Sequence, residues 1–284
     1  MILTFPYYDP SGEHNEAFQR QLETLKSTFD AVCVSAIPPT SEDNAGFVQW
    51  LEEQGCIVFY NAPNTPIGDH SRAALRLATE QAQSQQPIFF GFLSRILFAL
   101  ETEWRTSFLQ DIKAHQVSEF LIFERSRAAW DTHPSNYREI EQMVSRMFEF
   151  LCGKFIELMP CALILSCSVA NTVLSQSISP SYEVWAEWIL LAMKNSVPTT
   201  TKKVDWLAYQ HPYWEQIEPD ILKLERETSR EETIKRIKMN MPVAFLMVED
   251  RFKGLSSSVS ESQAPHAVGG TVTANPGRRN FAYH

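Results

Sequence analysis

The stretch "QPIFFGFLSRILFAL", residues 86–100, decides how the chain is read. Pro87 to Phe92 form a short, largely apolar run of strand character, and Leu93 and Ser94 lead straight into a helical pattern. An apolar run without polar alternation belongs to a strand covered on both faces, as in a parallel sheet. In many α/β enzymes the turn after such a strand holds a metal-binding carboxylate. Here the nearest acids are Glu80 upstream and Glu101 downstream, so the junction has the shape of a site without its usual chemistry.

Upstream, strand and helix signals alternate. "MILTFPYY" is an apolar run, and the next segment sets Phe18, Leu22, Leu25 and Phe29 on one helical face. "DAVCVSAI" is a second strand, "GFVQWLEEQG" a short helix closed by Gly55, and "CIVFYN" a third strand. Ala74, Leu77, Ala78 and Gln81 then mark a helix before the opening stretch. Downstream come the helix "EWRTSFLQDIKAH" and the strand "EFLIFER". Strands separated by helices predict right-handed βαβ units, hence a mostly parallel, Rossmann-like α/β sheet with helices on both faces.

The second half is more helical. Ile140, Val144, Met147 and Leu151 are expected on the core face of one helix, entered through Ser135 or Asn136 as cap and ended by Gly153. Trp185, Trp188, Ile189 and Ala192 mark a second helix. Ser229 and Glu232 have capping-box spacing ahead of a third, whose core pair is Ile234 with Ile237. From Gly254 the composition shifts to four glycines and five serines with no apolar period. The reading is therefore a body at 1–253 and a flexible tail at 254–284. The closing "RRNFAYH" offers Arg278, Arg279, Phe281 and Tyr283 as a segment suited to docking on a partner protein.

At 284 residues and 44% hydrophobic, the chain can bury a large core. Its net charge of −9 argues against nucleic acid as a partner. No apolar run is long enough to span a membrane, and "MILTFPYYDPSGEH" lacks the basic start of a signal peptide. The five cysteines, Cys33, Cys56, Cys152, Cys161 and Cys167, have no C-x-x-C spacing and read as reduced core thiols of a cytoplasmic protein.

The order of "ILTFPYY", "FDAVCVSAI", "CIVFYNAPNTPIGDHSRAALRLATEQA", "PIFFGFLSRILFALE", "EFLIFERSRAAWDTHPSNYREIEQMVSRMFEFLCG" and "YEVWAEWILL" resembles a group of glycosyltransferase-like proteins with a GT-A-like fold, over residues 1 to 250. In that type, two acids one residue apart hold a divalent cation that neutralises the diphosphate of a nucleotide-sugar. The resemblance implies that Pro6 ends the first strand beside the base-binding edge. It places Gly68 and Arg72 where a helix opens under the diphosphate, with Arg95 following the metal motif. It makes Glu187 an acidic position suited to a base or an acceptor contact. Phe92 and Ser94 stand at the two acidic positions, so the metal motif is degenerate.

Two functions follow from this pattern. One is a catalytically degenerate protein, without cofactor, that acts in binding or scaffolding through its fold and tail. The other is an active, metal-independent transferase that holds a nucleotide-sugar with Arg72, Arg95 or helix dipoles. If a metal is bound after all, Glu101 and Asp111 are the acids to suspect. Other constellations are weaker: Asp131 and His133 lie close in sequence without a nucleophile-elbow serine, and Trp206, Tyr209, His211, Tyr213 and Trp214 form an aromatic stretch.

Overall fold

The computed structural model describes residues 1–37, 45–83, 85–115, 119–209, 219–253 and 255. Seven strands form one sheet: β1 (Ile2–Tyr7), β2 (Ala31–Ala36), β3 (Ile57–Tyr60), β4 (Pro87–Gly91), β5 (Phe120–Arg125), β6 (Ala162–Ser166) and β7 (Thr199–Val204). Their order is β3-β2-β1-β4-β6-β5-β7. All pairings are parallel except those of β6, which runs against both β4 and β5. This is the mostly parallel α/β sheet with helices on both faces that the sequence implies.

Because strand side chains alternate, each strand feeds two cores. Leu3, Phe5 and Phe89 face one layer, built on α1 (Asn15–Thr28), α2 (Ala45–Glu53), α4 (Leu93–Glu101) and α5 (Arg105–Ala114). Ile2, Ile88 and Phe90 face the other. That layer contains α3 (Ile67–Gln81), α7 (Ser135–Cys152), α8 (Cys167–Gln176), α9 (Val184–Lys194) and α11 (Arg230–Leu246). The short α6 (Arg127–Thr132) follows β5, and α10 (Pro219–Thr228) leads into α11. All five cysteines are free and buried. Burial pushes the Cys33 thiol up to about 12 and the Cys56 thiol to about 11, which leaves both unreactive.

Several sequence expectations need correction. β1 continues one residue past Pro6, to Tyr7; its pairing with β4 has already ended at Thr4, so the missing proline N–H disrupts no ladder there. On α7, Met147 and Leu151 are exposed, and the buried face carries Tyr137, Glu141, Val144, Ser145, Phe148 and Cys152. The face is rotated because Glu141 turns inward to the buried Arg125. Neither Ser135 nor Asn136 caps α7. Pro134 stands at that position, and the Ser135 N–H is satisfied by Glu227 of α10 at 2.8 Å. On α11, Ile237 is exposed, and the helix buries Asn240, Val243, Ala244 and Leu246 instead. Ser229 does cap α11, accepting the Glu232 N–H at 3.2 Å, and Gly153 closes α7 at φ 72°. Leu255, assigned to the tail, packs in the same core as α9 and α11.

Candidate functional site

The chain leaves β1 toward β2 on one side, while β4 lies on the other. The crevice at the carboxyl ends of β1 and β4 is therefore a topological switch point, where open α/β sheets bind ligands. A cleft of about 220 Å³ opens there, lined by Pro6, Tyr8, Asp9, His14, His70, Phe92 and Ser94 among others. The structure thus brings Pro6, Phe92 and Ser94 together. Gly68, Arg72, Arg95 and Glu187 do not line this cleft.

Asp9, just past β1, is buried and bent back on the loop before α1. One carboxylate oxygen accepts the Glu13 N–H (3.2 Å); the other accepts the His14 N–H (2.8 Å) and faces His14 Nδ1 (3.1 Å). Burial alone would raise the Asp9 pKa, but these bonds from His14 and Glu13 hold it below the usual carboxylate range. His70, in the first turn of α3, donates its Nε2–H to the Ser35 carbonyl at 2.6 Å. Burial lowers its pKa, so the ring is neutral. Sequence reasoning missed all three residues. The available signal was the position of "YYDPSGEH" at the end of the first strand, the edge where such folds bind ligands.

Phe92 is half-buried and packs edge-on against Trp185 of α9, with ring centroids 4.6 Å apart, and more loosely against Phe90. Its backbone carbonyl accepts the N–H groups of Arg95 and Ile96, the first turn of α4. Ser94 offers the cleft a single hydroxyl. A divalent cation needs several oxygen ligands, and the residues present do not supply them. Phe92 has none, Ser94 is neutral, and both Asp9 oxygens already accept hydrogen bonds. Among the described residues no three His, Cys, Asp or Glu side chains are grouped to hold a metal.

Gly68, Arg72 and Glu187 meet instead on residues 177–183, the connection between α8 and α9. The Gly68 N–H donates to the Pro180 carbonyl at 2.9 Å. A Cβ on Gly68 would lie 2.1 Å from the Ser179 carbonyl oxygen, so the glycine is required by this close approach. Arg72 donates to Ser179 O (2.7 Å) and Ser177 Oγ (3.3 Å) and pairs with Asp69 (2.5 Å). Glu187 is fully buried, neither a surface residue nor a free base. It accepts from Ser177 Oγ (2.5 Å), the N–H groups of Ile178 (3.0 Å) and Ser179 (3.2 Å), and Arg251 (2.5 Å). Burial would raise its pKa; these donors bring it below the ordinary value.

Arg95 points away from the cleft, donating to the Ala208 carbonyl at 2.9 Å, and burial lowers its pKa. Glu101 is held by Arg20 at 2.9 Å, and Asp111 by Lys202 at 2.7 Å and Trp206 at 2.9 Å, both away from the cleft. His133 is buried with its Nδ1–H donated to Ala129 O at 2.8 Å, while Asp131 pairs with Arg138 at 3.4 Å. Trp206 and Tyr209 are buried as packing. His211, Tyr213 and Trp214 lie outside the described residues, as do Arg278, Arg279, Phe281 and Tyr283.

No family model matches the sequence, and no curated protein matches it. Solved structures similar to the chain include glucosyl-3-phosphoglycerate synthase from Mycobacterium tuberculosis with Mn2+, uridine diphosphate and phosphoglyceric acid. The identity is 8%, over 86% of this chain and 78% of that one, with a TM-score of 0.45. The same enzyme with Mn2+, uridine-diphosphate-glucose and phosphoglyceric acid gives 8% identity over 84% and 79%, with a TM-score of 0.43. A mycobacterial protein gives 10% over 80% and 73%, with a TM-score of 0.40. At this level of overlap they say nothing about chemistry.

Proposed function

We propose that the chain is a degenerate glycosyltransferase-like protein that acts by binding or scaffolding rather than by sugar transfer. One observation carries this reading: the Gly68 N–H and the Arg72 guanidinium, expected to hold a diphosphate, are both taken up by the chain's own residues 179 and 180. A helix N-terminus attracts phosphate through its unpaired N–H groups and dipole, and here a backbone carbonyl occupies one of those donors. Phe92 adds an aromatic ring where a carboxylate would be needed. The partner is another protein, engaged through residues 278–283.

A second reading, a metal-independent transferase, draws support from the open cleft and its Asp9, His14 and His70. It requires Arg72 and Arg95 to release Ser179 and Ala208. Calorimetry with uridine-diphosphate-glucose and a guanosine diphosphate sugar, each with and without manganese, separates the two. The degenerate reading expects no binding, or weak binding indifferent to manganese. A tenfold tightening by manganese, about 1.4 kcal/mol, would overturn it. Tight binding without metal, with turnover, would establish the second reading.

A further inference from the structure

Beyond β6 on the same edge of the sheet, a second pocket of about 500 Å³ opens at the ends of β5 and β7, against α6 and α7. Five of its lining residues are cationic, Arg125, Arg127, Arg138, Arg146 and Lys203, against the three acids Glu124, Asp131 and Glu157. That excess stands out on a chain of net charge −9. Asp131 pairs with Arg138 (3.4 Å) and reaches Arg127 (3.9 Å). Arg146 is exposed and makes no ion pair with a described residue, and Lys203 is exposed as well.

The floor is built of buried charge. Arg125 stacks its guanidinium over Trp130 (4.4 Å), donates to Glu141 (3.0 Å), and bonds Glu157. Arg236 shares Glu141 at 3.2 Å, and Arg95 lies close by. The Glu157 N–H donates to the buried Glu124 at 3.0 Å, so three guanidinium groups stand with three buried carboxylates, Glu124, Glu141 and Glu157. Burial raises Glu124 and pushes Glu157 up to about 7, which weakens the negative side of that balance. The Nε–H group of Arg125, which lines the pocket, is a buried donor with no acceptor among the described residues. An unpartnered buried donor is costly, and a bound anion would offset it.

We propose that this pocket binds the phosphate group of a small molecule, independently of the β1–β4 cleft. Arginine forks suit a tetrahedral dianion, and the volume admits the molecule that carries it. The test is calorimetry and thermal melting of the full chain with inorganic phosphate, glucose 6-phosphate and glucose, at ionic strength matched with chloride. Both phosphates should bind and raise the melting temperature, the sugar phosphate more if the natural ligand is a phosphomonoester; glucose should do neither. The Arg146→Gln, Lys203→Gln double variant, altered only at exposed positions, should melt normally without phosphate and bind it about tenfold more weakly. Arg76→Gln, at an exposed arginine on α3, should change nothing. No response to either phosphate at millimolar concentration, an unchanged affinity in the double variant, or an equal loss in Arg76→Gln would overturn the proposal.

Discussion

The β1–β4 cleft and the pocket at the end of β5 lie on either side of the antiparallel β6, along one sheet edge, and treat charge in opposite ways. In the first, the strand-end position is an aromatic ring, Phe92, packed on Trp185, and the surrounding polar groups bond to their own backbone. In the second, Glu124 and Arg125 at the strand end are buried, and Arg125 meets two carboxylates. A strand end in this fold can be filled by packing or by charge. The fold alone does not decide which.

The largest effect that would break this contrast is loss of the Arg125 side chain. Arg125→Met leaves Glu141 and Glu157 buried without their shared partner, and should cost about 3 to 5 kcal/mol in chemical denaturation. Adding Glu157→Gln should return part of that loss. If the single variant unfolds like the wild type, the floor is not held by charge.

Next in size is the reverse exchange. Phe92→Asp with Ser94→Asp removes the ring from Trp185 and puts two acids in the cleft, and should cost on the order of 1 to 4 kcal/mol. It should gain no manganese binding, because no other free carboxylate joins them there among the described residues. A double variant that melts normally and binds manganese in calorimetry would show that the two strand ends are interchangeable.

A smaller effect distinguishes the regions by pH. Burial first, and then the charges of Arg125 and Arg95, keep His133 neutral in the folded protein, far below its ordinary pKa. Below pH ~6.5 the unfolded chain takes up a proton that the folded chain refuses, so stability falls as pH falls, by about 1.4 kcal/mol per unit. From pH 6.5 to 5 that amounts to about 2 kcal/mol. His70, shifted the same way by burial, adds to it, while Glu157, raised to about 7, opposes it. His133→Asn isolates the effect, since its pH–stability curve should be flatter than the wild type's over that window. Parallel curves would mean that His133 titrates normally.

The sheet and the junction at residues 86–100 were legible in the sequence because apolar period and apolar runs are local signals. The run that forms β6 was not, since four apolar residues and a serine followed at once by a helix carry no turn signal to separate them. The face of α7 was misread for a related reason. Its buried Glu141 and Ser145 are polar; Glu141 turns inward to Arg125, sixteen residues earlier on another element, and Ser145 accepts the N–H of Leu158, thirteen residues later. Asp9, His14 and His70 meet only once β1 and α3 are assembled. Spacing along the chain does not reveal that.

The smallest expected effect on the body comes from the end of the chain. The structure describes the chain to Leu255, which is packed in the core beside α9 and α11, so the body reaches two positions past the boundary that the change in composition suggested. Beyond it, the sequence has too few apolar residues to offset the ~1 to 2 kcal/mol per residue that ordering would cost. Deleting residues 275–284 should therefore leave the melting temperature unchanged. The expected loss is of a partner, because Arg278, Arg279, Phe281 and Tyr283 combine charge with aromatic surface, and a contact of that kind weakens as salt rises. Melting and salt-graded co-purification of the truncated and full chains check this together. A large fall in melting temperature would make residues 275–284 part of the packed body, and an unchanged set of partners would remove the docking role from "RRNFAYH".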